Sequence, residues 1–185
     1  MTQNNWAVKS SYMTKGVSRH TLAPMHQLAS HHYLAGRMNE AMDAYRQILQ
    51  IDASDATALH GMGQIDLTEG QTKSALDALE KAIALDLNNP EYHVTLGIAH
   101  SMNNSLTLAK LSFQEAVRLK PSNLNARYNF ALCLLNLGQS KSAVGEFRRI
   151  LKKQAGNTGA LLHLGLSYRR GFFDGRTIFQ EMFTT

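Results

Sequence analysis

The sequence predicts an all-α fold, a solenoid of stacked helix–turn–helix units. Three observations carry that expectation. Residue types recur every 34 positions in several columns at once. Apolar residues within each period follow helical spacing. Glycine or asparagine marks the same place in each period, as a helix–helix turn requires.

The columns are explicit. Ala41, Ala75, Ala109 and Ala143 form one. Tyr45, Leu79, Phe113 and Phe147 form a second, each four residues later. Leu28, Met62, Leu96, Phe130 and Leu164 give a third. Ala29, Gly63, Gly97, Ala131 and Gly165 give a fourth that is always small. Gly36, Gly70, Asn104 and Gly138 give a turn column of residues that tolerate a left-handed conformation. Asp55, Asn89, Asn123 and Asn157 close each period and suit the N-cap of the next helix. The small residue and the alanine let two helix backbones approach closely, and the large column fills the groove between neighbours. One such pair cannot bury its own apolar faces, so the units must stack.

The period and its residues, clearest in "LHGMGQIDLTEGQTKSALDALEKAIALD" and "ALCLLNLGQSKSAVGEFRRIL", resemble the tetratricopeptide repeat (TPR) family. The resemblance covers residues 22–168 and implies a right-handed α-α superhelix. Full units are expected at 22–55, 56–89, 90–123 and 124–157, with a fifth first helix at 158–170. Residues 1–21 are read as a disordered or helical leader. Residues 171–185 are read as an irregular closing helix, whose Gly175, Phe179 and Phe183 repeat the small–large–large spacing two residues early. His93 and Arg127 depart from the family by standing where a large apolar residue is usual. Only Pro121 fills a family proline position, the others being Ala53, Leu87 and Ala155.

Composition narrows the function. The formal charge of +5 conceals a gradient. Residues 1–39 carry four basic and no acidic side chains, residues 40–91 ten acidic and three basic, and residues 92–185 twelve basic and four acidic. The chain is electrically polarised along its length. The single cysteine excludes an internal disulfide framework and fits a reducing, cytoplasmic setting. The first twenty residues hold no apolar core of a secretory signal, and no apolar run is long enough to span a membrane.

No phosphate-cradling glycine loop and no HExxH motif occurs, and the carboxylates read as scattered over outward faces. Cys133, flanked by Leu132 and Leu134, reads as a small packing residue. His31 and His32 fall in two packing columns, His32 in the family's aromatic place beside Asp66, His100, Leu134 and Tyr168. No catalytic residue, metal site or cofactor is expected. The run from Arg148 to Lys153 sits in the last turns of a helix, where cations complement the dipole, and no aromatics interleave. Nucleic acid is therefore disfavoured as a partner.

The resemblance implies that the first helix of each pair lines the concave face. That places His26, Ser30, His60 and Gln64 in a polar stretch of the groove. Val94, Ile98, Met102, Tyr128, Leu132, Leu135, Leu162 and Leu166 follow in an apolar stretch, with Asn129 and His60 as polar readers. A contiguous apolar patch marks a contact surface. The expected function is a non-catalytic scaffold or adaptor binding a peptide or amphipathic segment of a protein partner. Two alternatives stand beside it. The face is covered within the chain, by the leader with Trp6 and Tyr12 or by the C-terminal phenylalanines, or by a second copy. Or the array is the substrate-recruiting arm of an enzyme, such as a glycosyltransferase, methyltransferase or sulfotransferase. Inward lysines or arginines that would clamp a partner's carboxylate are missing, the matching places being His60, Gln64, Thr95, Asn125 and Asn129. His26 and His60, one period apart, suggest a groove that responds to pH between about 5.5 and 7.5.

Overall fold

The computed structural model describes residues 22–169. Those residues form nine helices and no strand. The first helices of the repeats are α1 (Leu22–Leu34), α3 (Ala56–Thr68), α5 (Pro90–Met102), α7 (Leu124–Asn136) and α9 (Thr158–Arg169). The second helices are α2 (Met38–Ile51), α4 (Thr72–Leu85), α6 (Leu106–Leu119) and α8 (Ser140–Lys153). The chain divides into two compact units, Met1–Leu87 and Asn88–Thr185. The first holds α1–α4 and the second α5–α9. The leader and the closing helix expected from the sequence lie outside the described residues.

The turn column has the conformation its residues suggest. Gly36, Gly70 and Gly138 have φ of 74°, 76° and 72°, and Asn104 has φ of 57°. Each ends a first helix in the same double hydrogen bond. Gly36 N–H donates to the Tyr33 carbonyl at 3.0 Å, and Arg37 N–H to the His32 carbonyl at 2.9 Å. The pair recurs at Gly70 and Gln71, at Asn104 and Ser105, and at Gly138 and Gln139. This is a Schellman ending, which satisfies two carbonyls that a helix terminus leaves orphaned. None of α2, α4, α6 and α8, which follow these turns, starts on a side-chain cap hydrogen bond.

First helices begin differently, on a capping side chain. Asp55 accepts from Ala58 N–H at 2.8 Å, Asn89 from Glu91 N–H at 3.1 Å, Asn123 from Ala126 N–H at 3.0 Å and Asn157 from Ala160 N–H at 2.9 Å. Each cap is worth about 1 kcal/mol against alanine.

The cores follow the columns. In the first unit Ala41, Tyr45, Ile48, Ala58 and Ile65 share one buried cluster. In the second unit Ala109, Phe113, Ala116 and Cys133 form a cluster, and Ala131, Ala143, Phe147 and Ile150 form another. Cys133 is thus the packing residue the sequence suggests. Its S–H donates to the Leu106 carbonyl at 3.4 Å, and burial pushes its thiol pKa up. His32 is half-buried.

The small column sets helix separation. A Cβ added at Gly97 would lie 2.6 Å from the Phe113 ring, and at Gly63 2.8 Å from Leu79 Cγ. At Gly165 on α9 it would meet no atom of the described residues within 4 Å. Gly97→Ala should therefore lower stability by about 1–3 kcal/mol, although alanine is the better helix former. Gly165→Ala should raise it by about 0.5–1 kcal/mol. Urea unfolding of both variants checks the contrast, and equal effects would refute the close-approach reading.

Candidate functional site

The second unit brings part of the expected apolar face together. Leu132, Leu135 and Asn136 of α7 face His163 and Leu166 of α9 across a cavity of about 290 Å³. Ser140, at the start of α8, closes one side. The Gly138 turn lets α8 fold back beside α7 there. Ser167, buried, turns its hydroxyl to the His163 carbonyl at 2.7 Å, so it offers the cavity no free donor. Leu162 and Leu166 are 60% and 38% exposed, and Met102 and Ile98 of α5 are 52% and 36% exposed. Asn129 is half-buried on α7.

Two residues expected on this face are placed elsewhere. Val94 is buried in the core with Phe113 and Ala116, because α6 crosses directly over that side of α5. Tyr128 is half-buried, and its ring lies edge-on to Phe147 and to His163, each at 5.9 Å. Phe147 and His163 stack at 5.5 Å, nearly parallel. Gly159 leaves room for the Tyr128 hydroxyl, since a Cβ there would lie 2.9 Å from it. His163 was not singled out in the sequence. Its signal was its place two residues before the small-column Gly165.

The polar stretch lies in the first unit and is largely committed to structure. His26 Nε2 donates to Asp55 Oδ2 at 2.9 Å, while the other oxygen of Asp55 caps α3. The histidine of α1 thus steadies the start of α3. The Ser30 and Tyr45 hydroxyls lie 3.5 Å apart. Gln64 is half-buried, and Thr68 Oγ1 donates to its carbonyl at 3.0 Å.

His60 does not behave as a switch near neutrality. Burial disfavours its charged form and lowers its pKa from 6.5 to about 4. It therefore stays neutral across the range in which the sequence suggested a pH response.

The carboxylates are also less scattered than expected. Asp66 is buried and accepts from the Ser74 hydroxyl at 2.6 Å. Glu146 is buried between Arg127 and Arg149 and bonds to both. Arg127 also donates to the Pro121 carbonyl at 2.9 Å. An arginine stands where the family has a large apolar residue because its stem packs as one and its head is neutralised by Glu146. Among the described residues no group of three or more His, Cys, Asp or Glu side chains could hold a metal ion. None of the described helices is long and apolar enough to cross a membrane.

The depressed His60 pKa has a consequence for stability. Unfolded chains take up a proton near pH 6.5 and the folded chain does so only near pH 4. Stability is thus complete above about 6.5 and falls as pH drops from there toward 4, by on the order of 3 kcal/mol. Urea midpoints between pH 7 and pH 4 should show this fall in the native chain and a shallower one in His60→Gln. Parallel curves would contradict it.

Comparison with known proteins agrees with the geometry. The tetratricopeptide repeat family model matches residues 32–97. The family model for anaphase-promoting complex, cyclosome, subunit 3 matches residues 68–150. BBSome complex member BBS4 of Xenopus tropicalis is 28% identical over 113 residues, 61% of this chain and 22% of that protein. The peroxisomal targeting signal receptor of Saccharomyces cerevisiae is 29% identical over 97 residues, 52% of this chain and 16% of that protein. The chain spans about a fifth of the length of the BBSome relatives it matches. The crystal structure of YrrB, a TPR protein with an unusual peptide-binding site, has a TM-score of 0.71 at 25% identity, covering 90% of this chain and 84% of that one. The period, the Schellman turns, the small–large columns and these matches converge: the chain belongs to the tetratricopeptide repeat family.

Proposed function

We propose that this protein is a non-catalytic interaction scaffold that holds an apolar or amphipathic segment of a partner protein on the first-helix face of its second unit. The observation that carries the reading is the exposure of Ile98, Met102, Leu162 and Leu166, beside a cavity walled by Leu132, Leu135 and Leu166. Apolar side chains at that density on the surface of one unit cost free energy unless something covers them. Asn129 and Asn136 supply polar edges that can meet a peptide backbone.

The first unit contributes less in this reading. His26 and Ser30 are engaged with Asp55 and Tyr45, and His60 and Gln64 are half-buried. The relatives are consistent with the proposal in kind: one is named a receptor for a targeting signal, another a member of a protein complex. YrrB is named for a peptide-binding site. A reducing, cytoplasmic setting belongs to the same proposal and is supported by the lone, buried Cys133.

Leu132 is half-buried, so a charge there would weaken the unit as well as the surface. Met102 and Leu166 are better probes. Met102→Asp combined with Leu166→Asp should abolish capture of partners recovered with the native chain and change stability by no more than about 0.5–1 kcal/mol. Leu34→Asp, at an 84% exposed position of α1, should keep those partners. Affinity capture with all three baits, alongside thermal unfolding, checks this. Retention of the same partners by the double variant would overturn the proposal.

A further inference from the structure

The second unit carries another cleft, on the side of α7 away from the cavity just described. It has a volume of about 470 Å³. Phe130 and Leu134 of α7 form its floor. Lys110 and Gln114 of α6 form one rim, and Gly145, Glu146 and Arg149 of α8 the other, with Glu146 the one carboxylate of the lining. Leu108 and Leu111, flanking Lys110 on α6, are 49% and 56% exposed.

The charge of this region is strongly one-sided. Residues 88–169 hold ten basic and three acidic side chains. All three carboxylates have partners inside the unit. Glu115 accepts two hydrogen bonds from Arg118, at 2.6 and 2.8 Å. Glu146 lies between Arg127 and Arg149, and Glu91 accepts from Asn123 at 3.0 Å. Among the described residues Lys110 donates to a neutral acceptor, Gln139 Oε1 at 3.3 Å. Arg149 stays 64% exposed despite its bond to Glu146.

The first unit provides an internal comparison. Two repeat periods earlier, the equivalent cleft of about 230 Å³ is lined by Met42, Asp43, Arg46, Asp66, Glu69 and Gln71. Met42 stands in the place of Lys110, and Asp66 in the place of Leu134. The first-unit cleft sets Asp43, Asp66 and Glu69 against one cation, Arg46, whereas the α6–α8 cleft sets Lys110 and Arg149 against one carboxylate, Glu146.

We propose that the α6–α8 cleft is a second docking surface, and that its occupant is a short acidic amphipathic segment of a partner protein. Apolar side chains of that segment rest on Phe130 and Leu134. Its carboxylates meet Lys110 and Arg149, which stand on opposite rims and so fix its position across the cleft. The acidic twin of the cleft in the first unit repels the same segment, so charge selects one cleft of the two. Nucleic acid fits less well. It needs many phosphate contacts to release enough counterions, whereas this cleft offers two cations, and its aromatic residue lies in the floor, not on an exposed stacking face.

Gly145 allows a clean test. A Cβ there would meet nothing within 4 Å, so a large side chain can enter the cleft without displacing the helix. The probe is a fluorescein-labelled helical peptide with a leucine stripe flanked by glutamates, and its control carries glutamine at every glutamate. Anisotropy titration of the full chain should give saturable binding of the glutamate peptide. Affinity should fall about tenfold or more in Lys110→Glu and in Gly145→Phe. It should weaken as salt rises. Far-UV helicity and the melting midpoint of Gly145→Phe should match the native chain or exceed it. Met102→Asp with Leu166→Asp should bind the peptide as the native chain does, which separates this surface from the one proposed above. The proposal is overturned if the glutamine peptide binds equally well, or if Gly145→Phe and Lys110→Glu bind as tightly as the native chain. It is overturned equally if a labelled DNA duplex or phosphatidylserine vesicles bind more tightly than the peptide through Lys110, or if the same substitutions abolish self-association of the chain and leave peptide binding untouched.

Discussion

At Gly63 and Gly97 the first helix of a pair lies so close to the second that one added carbon would enter the side chain of Leu79 or Phe113. The other features are consequences of that approach. It seats the large residue of each period at the centre of its pair, where Leu79 and Phe147 are fully buried. It also consumes one side of α3 and of α5. On α5 the other side is left without a covering helix of its own repeat, and it is there that Ile98 and Met102 stand exposed. The surface proposed for binding and the contact that holds the fold are thus two faces of the same helices.

Polar groups in this fold divide between hinge and surface roles. Schellman turns and asparagine or aspartate caps alternate along the chain, so helix ends are satisfied locally and consume few long-range partners. The exceptions are instructive. His26 reaches from α1 to the cap of α3, and Arg127 reaches from α7 to Glu146 on α8. The first ties the first helices of neighbouring repeats together, and the second ties the two helices of one repeat. A buried pair such as Arg127–Glu146 adds geometry more than net stability, because desolvation offsets much of its attraction. The cost of breaking it by removing one partner is high for the same reason.

How much of this was legible in the sequence depends on the range of the interaction concerned. Gly36, Gly70, Asn104 and Gly138 announced the turns, and Asp55, Asn89, Asn123 and Asn157 the caps, because each acts within a few residues of itself. Cys133 was readable as packing from its leucine neighbours. The family resemblance implied which positions of a first helix line the concave face, Met102 and Leu166 among them. It did not indicate depth. Val94 shares the register of that face, yet α6 covers it. Tyr128 shares it too, but Phe147 and His163 draw its ring inward. Glu146 looked like one of many surface carboxylates until Arg127, nineteen residues earlier, was found beside it. The neutral state of His60 follows from burial, which residue spacing alone does not give.

The central claim is that the close small–large contact within each pair organises the fold and thereby presents the opposite face. A double-mutant cycle at Gly97 and Phe113 tests it most directly. Stability to urea would be measured for Gly97→Ala, Phe113→Leu and the double change. If the contact is as tight as the 2.6 Å approach implies, the smaller leucine relieves the added methyl, and the double variant is more stable than the sum of the single effects by about 1–2 kcal/mol. Strict additivity would mean that the two residues do not constrain each other, and the account of how this fold is held would fail.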